Sequence, residues 1–227
     1  MRKSLFTASL LALAVAAPFA NAFEAGDIIV RAGAVTVDPQ EDSSNLNVAP
    51  IGDLPGTKAT LDSDTQLGLN FAYMVTNNIG IELLAATPFS HEVGVKGLGA
   101  LDGKLADIKH LPPTLSAVYY PLDKNSAFQP YVGLGINYTT FFDEDLTSAR
   151  EAQGFSNLEL DDSWGLAYQL GMDYMLTDNV MLNAQVRYID IDTTATVDGP
   201  TGIGATRTEV DVDVDPFVYM VGLGYKF

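Results

Sequence analysis

His91 and His110 are the two histidines of this sequence, and imidazole is the side chain whose unperturbed titration falls between pH 5 and 8. Ser90 precedes the first and Asp107 lies near the second. A serine, an imidazole and a carboxylate can do nucleophilic or acid–base chemistry, and two histidines with loop carboxylates can contact a divalent ion. Neither pattern is developed here. The sequence lacks Gly-x-Ser-x-Gly, His-Glu-x-x-His and the phosphate loop, and it has no cysteine for a thiolate ligand, a nucleophile or a disulfide. No catalytic residue, metal site or cofactor is therefore expected.

A second group has different chemistry. Arg31, Glu82, Asp173, Gln185 and Arg187 sit in otherwise apolar stretches, where a charge must find a partner. They are expected to form a lumen constriction, either a plug of buried ion pairs or a selective polar path for small zwitterions. Both readings need an element that holds them on one inner face.

Composition narrows what that element is. The 227 residues carry 12 Lys+Arg against 29 Asp+Glu, a formal charge of −17. Phosphate binding needs a basic face, so a nucleic-acid partner is not expected. Yet 47% of the residues are hydrophobic, mean hydropathy is +0.13, and there are 10 Tyr and 11 Phe. Disordered acidic chains are poor in aromatics. The N-terminus places some of the apolar residues: Arg2 and Lys3, an apolar run from Leu5 to Ala17, and Ala20-Asn21-Ala22 have the form of a secretory signal peptide over residues 1–22. Its removal takes away two cations and leaves residues 23–227 at −19. No later apolar run is long enough for a membrane helix.

The remainder alternates. Leu67, Leu69, Phe71, Tyr73 and Val75 share one parity; Gly68, Asn70, Ala72 and Met74 share the other. The same period of two recurs around Val132–Tyr138, Leu166–Tyr174 and Leu182–Tyr188, which is the strand signal. Large apolar and aromatic residues take one face; glycines and amides take the other. Turns at 76–78, 121–126 and 177–179 are short, whereas 38–62, 94–107, 143–158 and 193–208 are long and polar. Short turns at one rim and long loops at the other describe an eight-stranded antiparallel transmembrane β-barrel, with short periplasmic turns and long extracellular loops. The expected strands are 27–37, 63–76, 79–93, 106–120, 127–142, 158–176, 179–193 and 207–227. Eight strands leave a lumen that side chains nearly fill.

The last strand ends in aromatics, Phe217 to Phe227, as in the sorting signal of bacterial outer-membrane barrels. Before Pro216 the outward parity passes to Asp211, Asp213 and Asp215, while Val210, Val212 and Val214 point inward. A membrane strand needs about 9–11 residues, so these positions should stand above the bilayer as an apolar entrance.

Glu82-Leu83-Leu84-Ala85-Ala86-Thr87-Pro88-Phe89, His110-Leu111-Pro112-Pro113-Thr114, Tyr131 to Asp143 and Asp190-Ile191-Asp192-Thr193 together resemble the OmpW family. The resemblance runs along essentially the whole chain. It implies an eight-stranded barrel of the Gram-negative outer membrane with a narrow hydrophobic lumen, and passive uptake of small, rather apolar molecules.

Three prolines add a route. If the strand from Ile79 pairs back from Pro121, Ile81 faces Tyr119, Leu83 faces Ala117, and Pro88 meets Pro112 beside Pro113. Proline cannot donate to a ladder, so these residues form a candidate lateral gate through which an apolar solute leaves sideways into lipid. Tolerated bulges near the rim are the plainer reading. Other functions stay open: a diffusion channel for small neutral or zwitterionic solutes such as amino acids, a non-transporting structural or receptor barrel, or a rim enzyme using His91 and His110. The expected partners are outer-membrane lipids, lipopolysaccharide and small apolar or zwitterionic solutes, with the barrel a monomer.

Overall fold

The computed structural model describes residues 22–227, so the expected signal peptide, apart from Ala22, lies outside the described residues. The alternating segments close on themselves. Strands β1 (Ile28–Asp38), β2 (Asp64–Met74), β3 (Ile79–Ala86), β4 (Thr114–Tyr119), β5 (Phe128–Leu146), β6 (Ser163–Met175), β7 (Val180–Ile189) and β8 (Phe217–Lys226) each pair antiparallel with the next. β8 pairs back onto β1, from Ile29 opposite Lys226 to Asp38 opposite Phe217. At that closure Gly33 lies opposite Gly222, and a Cβ on either would run into the partner strand's backbone.

Burial is inverted relative to a water-soluble protein. Leu170 is 61% exposed and Val221 66%, while Arg31, Glu82 and Asp173 are wholly buried. Such a surface is stable only against hydrocarbon, where the closed ladder satisfies every strand's backbone groups internally. The aromatic residues mark its limits. Phe128 pairs with Tyr174 near the short turns; Tyr138 pairs with Trp164, rings 4.7 Å apart, at the other end. Ten positions separate Phe128 from Tyr138. At about 3.3 Å per residue on a strand tilted by about 40°, that is an apolar band about 25 Å tall.

Above this band the structure departs from the expected loops. Five of the expected strands break at the band's upper edge, level with Tyr138 and Trp164: at 87–88, 112–113, 161–162, 190–191 and 214–216. Three breaks contain proline, which cannot continue a ladder; the other two contain aspartates that turn to water. Beyond them the chain folds into more strand. Gly103–Leu111 pairs with the upper end of β5, Phe89–Lys96 pairs with Gly103–Leu111, and Lys58–Leu61 pairs with Phe89–Lys96. A second sheet runs Ser156–Leu160, Asp192–Asp198, Arg207–Asp213, Leu46–Ala49, Gly52–Leu54. The short strands of 38–62 were hidden by their glycines, prolines and lengths of two to four residues.

The lipid face yields a direct check. Leu170→Arg should destabilise the barrel by about 2–4 kcal/mol, the cost of a cation near the bilayer midplane. Asp211→Arg, above the membrane, should change stability little. Urea unfolding from phospholipid vesicles measures both.

Candidate functional site

The alternation of β1, β3, β6 and β7 aims four charges into a lumen too narrow for water to solvate them. They pair with one another. Arg31 holds Asp173 with two bonds, Nε to Oδ1 at 3.0 Å and Nη2 to Oδ2 at 2.6 Å. Its Nη1 donates to Asn70 Oδ1 at 2.9 Å and Glu82 Oε2 at 3.2 Å, and Nη2 to the Tyr120 hydroxyl at 2.8 Å. On the other side of Glu82, Arg187 forms a salt bridge to Oε1 and donates through Nε to Gln169 Oε1 at 2.7 Å. Gln169 Nε2 returns a 2.8 Å bond to Glu82, and Asn183 Nδ2 donates to Asp173 at 2.9 Å. Two guanidinium groups face two carboxylates, so the cluster is neutral and the desolvation of each charge is offset by close partners.

All five residues expected at the constriction therefore meet; Gln185 joins at the edge, donating to Asn183 Oδ1 at 3.3 Å. Tyr120 and Tyr131 were missed, although both have inward parity on β4's continuation and β5. Tyr131 lies over Gly171, where any side chain would strike its ring, and the Arg31 guanidinium stands 5.6 Å from the ring centre. Below the ion pairs Met74, Met175 and Met181 fill the lumen, and Phe23 packs edge-on against Tyr120 at 4.9 Å. The periplasmic half is thus closed twice, by ion pairs and by apolar side chains.

Above the floor the lining turns apolar. Val35, Leu84, Ile189, Val218 and Met220 pack together, and over them lies a cavity of about 90 Å³ between the two extramembrane sheets. Val210, Val212 and Val214 line it, with Leu46, Val48, Leu61, Val93, Val95, Phe141 and Phe155. Most of these come from segments read as loops, so only the valine triplet was identifiable in advance. Arg150, on a short helix (Ser148–Ala152), also borders the cavity.

The three prolines converge on one break in the wall. β3 and β4 pair from Ile79 opposite Tyr119 to Leu84 opposite Thr114. Above that, Ala85, Ala86 and Thr87 bond only toward β2, and Leu111 and Pro113 only toward β5. Pairing across the seam resumes at Phe89 opposite His110. The expected register is corrected by two residues: Ile81 faces Ala117, and Leu83 faces Leu115. The cause is Asn78, whose carbonyl accepts from Tyr120 N–H and whose side chain donates to Tyr120 O, so that Ile79 starts its pairing opposite Tyr119, two positions before Pro121. An even shift leaves every side chain on its face.

His91 and His110 cap this seam. Their Nε2 atoms are 2.8 Å apart, so one ring donates and the other accepts. His91 Nδ1 lies 2.6 Å from the Asp62 carbonyl oxygen, and His110 packs between Phe89 and Phe141, 5.4 and 5.9 Å away. Burial, with His91 beside it, pushes His110 down to about 3, and burial also lowers His91. Ser90 is exposed and Asp107 pairs with Lys104, so no nucleophile–base contact forms. A separate carboxylate group, Asp190, Asp192 and Asp215, has ligand atoms within 4.8 Å of one another on the outer surface. Asp215 there accepts the Tyr188 hydroxyl at 2.7 Å.

Comparison with known proteins fits this architecture. The OmpW family model matches residues 24–227. Outer membrane protein W of Vibrio cholerae is 48% identical over 97% of this chain and 96% of its own. The crystal structure of OprG from Pseudomonas aeruginosa superposes with a TM-score of 0.89 at 60% identity, covering 92% of this chain and 99% of that one. The solution structure of Escherichia coli outer membrane protein W gives a TM-score of 0.59 at 45% identity, over 90% and 99%. The relatives are named as membrane proteins rather than enzymes. The chain belongs to the OmpW family and is an eight-stranded β-barrel of the Gram-negative outer membrane.

Proposed function

We propose that the barrel takes up small apolar molecules from outside the cell and releases them sideways into the membrane. The observation that carries this reading is the stacking of an apolar cavity on a closed floor, with a break in the wall between them. A solute entering past Val210, Val212 and Val214 meets a mainly apolar lining, with Arg150, Thr193, Thr196 and Thr208 its polar members, until it reaches the floor. Downward passage would have to separate Arg31 from Asp173 and Arg187 from Glu82, pairs whose disruption costs about 3–5 kcal/mol. The sideways route past Leu84 and Phe89 requires no ladder bond to break. Both charges of a zwitterion could be matched by the floor only by displacing partners already in place, which favours the apolar solute over the amino-acid alternative.

Three outcomes follow. In vesicles with a lipopolysaccharide outer leaflet, uptake of octane should exceed that of glycine or a charged sugar. Pro88→Val with Pro112→Val restores two N–H donors to the seam at about 1 kcal/mol each, so octane uptake should slow about thirtyfold. Unchanged flux would contradict lateral release.

In planar bilayers the protein should carry no persistent ion current. Glu82→Ala, which leaves two buried guanidinium groups short of a carboxylate, should destabilise the barrel by about 3–5 kcal/mol and introduce leak current.

The histidine pair gives a pH dependence. Because the folded values lie below the ordinary 6.5 or so, the neutral pair is favoured above that pH and is lost as pH falls through the folded values. Asp62 and Asp64 beside His91 ease the first proton; the second meets a like charge. Hydrogen exchange in Phe89–Lys96, corrected for intrinsic rates, should therefore accelerate from pH 7 to pH 5 relative to β7. His110→Phe should abolish that acceleration.

A further inference from the structure

The wall has a second place where neighbouring chains part. β1 and β2 pair as far as Val37 opposite Asp64, and the hydroxyls of Thr36 and Thr65 lie 2.8 Å apart just below. Above that level the two chains lean in opposite directions. Residues 38–44 follow the strand Arg207–Asp213: Gln40 N–H donates to Val214 O at 3.0 Å, Ser44 N–H donates to Asp211 O at 2.9 Å, and Ser43 lies opposite Val212. Residues 58–62 follow Phe89–Lys96 instead. Lys58–Leu61 pairs with that strand, and Asp62 bonds to His91 Nδ1 and Glu92 N–H. Among the described residues no hydrogen bond joins 38–42 to 60–63.

The gap has apolar sides. Pro39, which has no N–H to donate, is buried on one side, and Leu61 is half-buried on the other. Leu61 packs against the cluster that holds Val212 and Val214, and all three line the cavity. Higher up, the gap is held only by bonds that use a side chain. Ala59 N–H donates to Ser43 Oγ at 3.0 Å, and Lys58 Nζ bonds to the Ser43 carbonyl and to Asp42 Oδ1, the latter at 2.6 Å. Beyond them Leu46 N–H donates to Thr57 Oγ1 and Gly56 N–H to Asn45 Oδ1. The Lys58–Asp42 pair is exposed, and such pairs contribute about 1 kcal/mol or less. A regular ladder would have to be unzipped, whereas this closure has one small catch.

We propose that this gap is a side entrance to the cavity, with Lys58 and Ser43 as its catch. A small apolar solute passes between Pro39 and Leu61 and arrives on Val212 and Val214. A charged solute would have to give up its water against proline and leucine, which is unfavourable without a partner. Along β2 the exit stands at Leu67, whose carbonyl accepts from Thr87 N–H, and the entrance begins higher, at Asp64. The inference rests on the uptake reading above and names where the solute enters.

The test is a disulfide across the catch, made by Ser43→Cys with Ala59→Cys. The chain has no cysteine of its own, so a reductant acts only there. Octane uptake is measured in vesicles with a lipopolysaccharide outer leaflet, before and after reduction. The oxidised form should take up octane about tenfold more slowly than the reduced form. Lys58→Met removes both bonds of the lysine without altering the cavity lining, and should speed uptake about threefold. That variant decides the matter if the double-cysteine protein does not assemble. Equal rates in the oxidised and reduced forms, or a wild-type rate in Lys58→Met, would overturn the side entrance. Wild-type uptake no faster than in protein-free vesicles would instead overturn the uptake reading itself.

Discussion

Four charges in a lumen closed to water set the terms for everything above them. Arg31, Asp173, Glu82 and Arg187 come from four different strands, so their pairing ties together opposite sides of the barrel as no local ladder contact can. The pairs are neutral in sum, and Asn70, Gln169 and Asn183 add hydrogen bonds to them, while Arg187 Nη1 and Asn70 Nδ2 are left without a partner. A half-satisfied network in this position would be costlier than an apolar core. The two ion-paired carboxylates close the floor, which in the proposed route leaves the extracellular half as the place for a solute.

The break between β3 and β4 acquires meaning from that closure. In an open pore, an unpaired seam near the rim would be an irregularity among others. In the proposed route it is the exit from a compartment whose floor is closed by ion pairs. Pro88, Pro112 and Pro113 keep the two edges from bonding, while Phe89, His110 and Phe141 cover the gap from above with stacked rings. The wall sheets beyond the seam give the compartment its apolar lining. Acidic residues, numerous as they are, lie mainly on the outside of these sheets, as Asp211 and Asp213 do opposite the buried Val212.

Strand parity made most of the membrane half legible. Arg31, Glu82, Asp173, Gln185 and Arg187 could be assigned to one lumen because period-two alternation fixes a side chain's face regardless of register. That is also why the two-residue register error at Asn78 did no harm to the site. Parity fails where strands are short. The segments 38–62 and 94–107 fold into strands of two to nine residues with turns between them, too brief for a period to show, and so the cavity lining other than the valine triplet went unread. Arg150 was invisible for a related reason: its burial depends on carbonyls 46 and 49 positions away in sequence, and nothing local marks it. Phe23 lies at the edge of the expected leader, before the first strand, where alternation has not begun.

The route a solute takes separates lateral release from passage through the floor, and photolabelling reads that route directly. A diazirine-bearing alkane, photolysed during uptake into vesicles with a lipopolysaccharide outer leaflet, leaves adducts that peptide mass spectrometry can locate. Adducts are expected on cavity residues such as Val93 and Val212 and on Phe89 and Thr87 at the seam, with none on Met74, Met175 or Met181. Labelling of those methionines below the ion pairs would show passage through the floor and contradict lateral release.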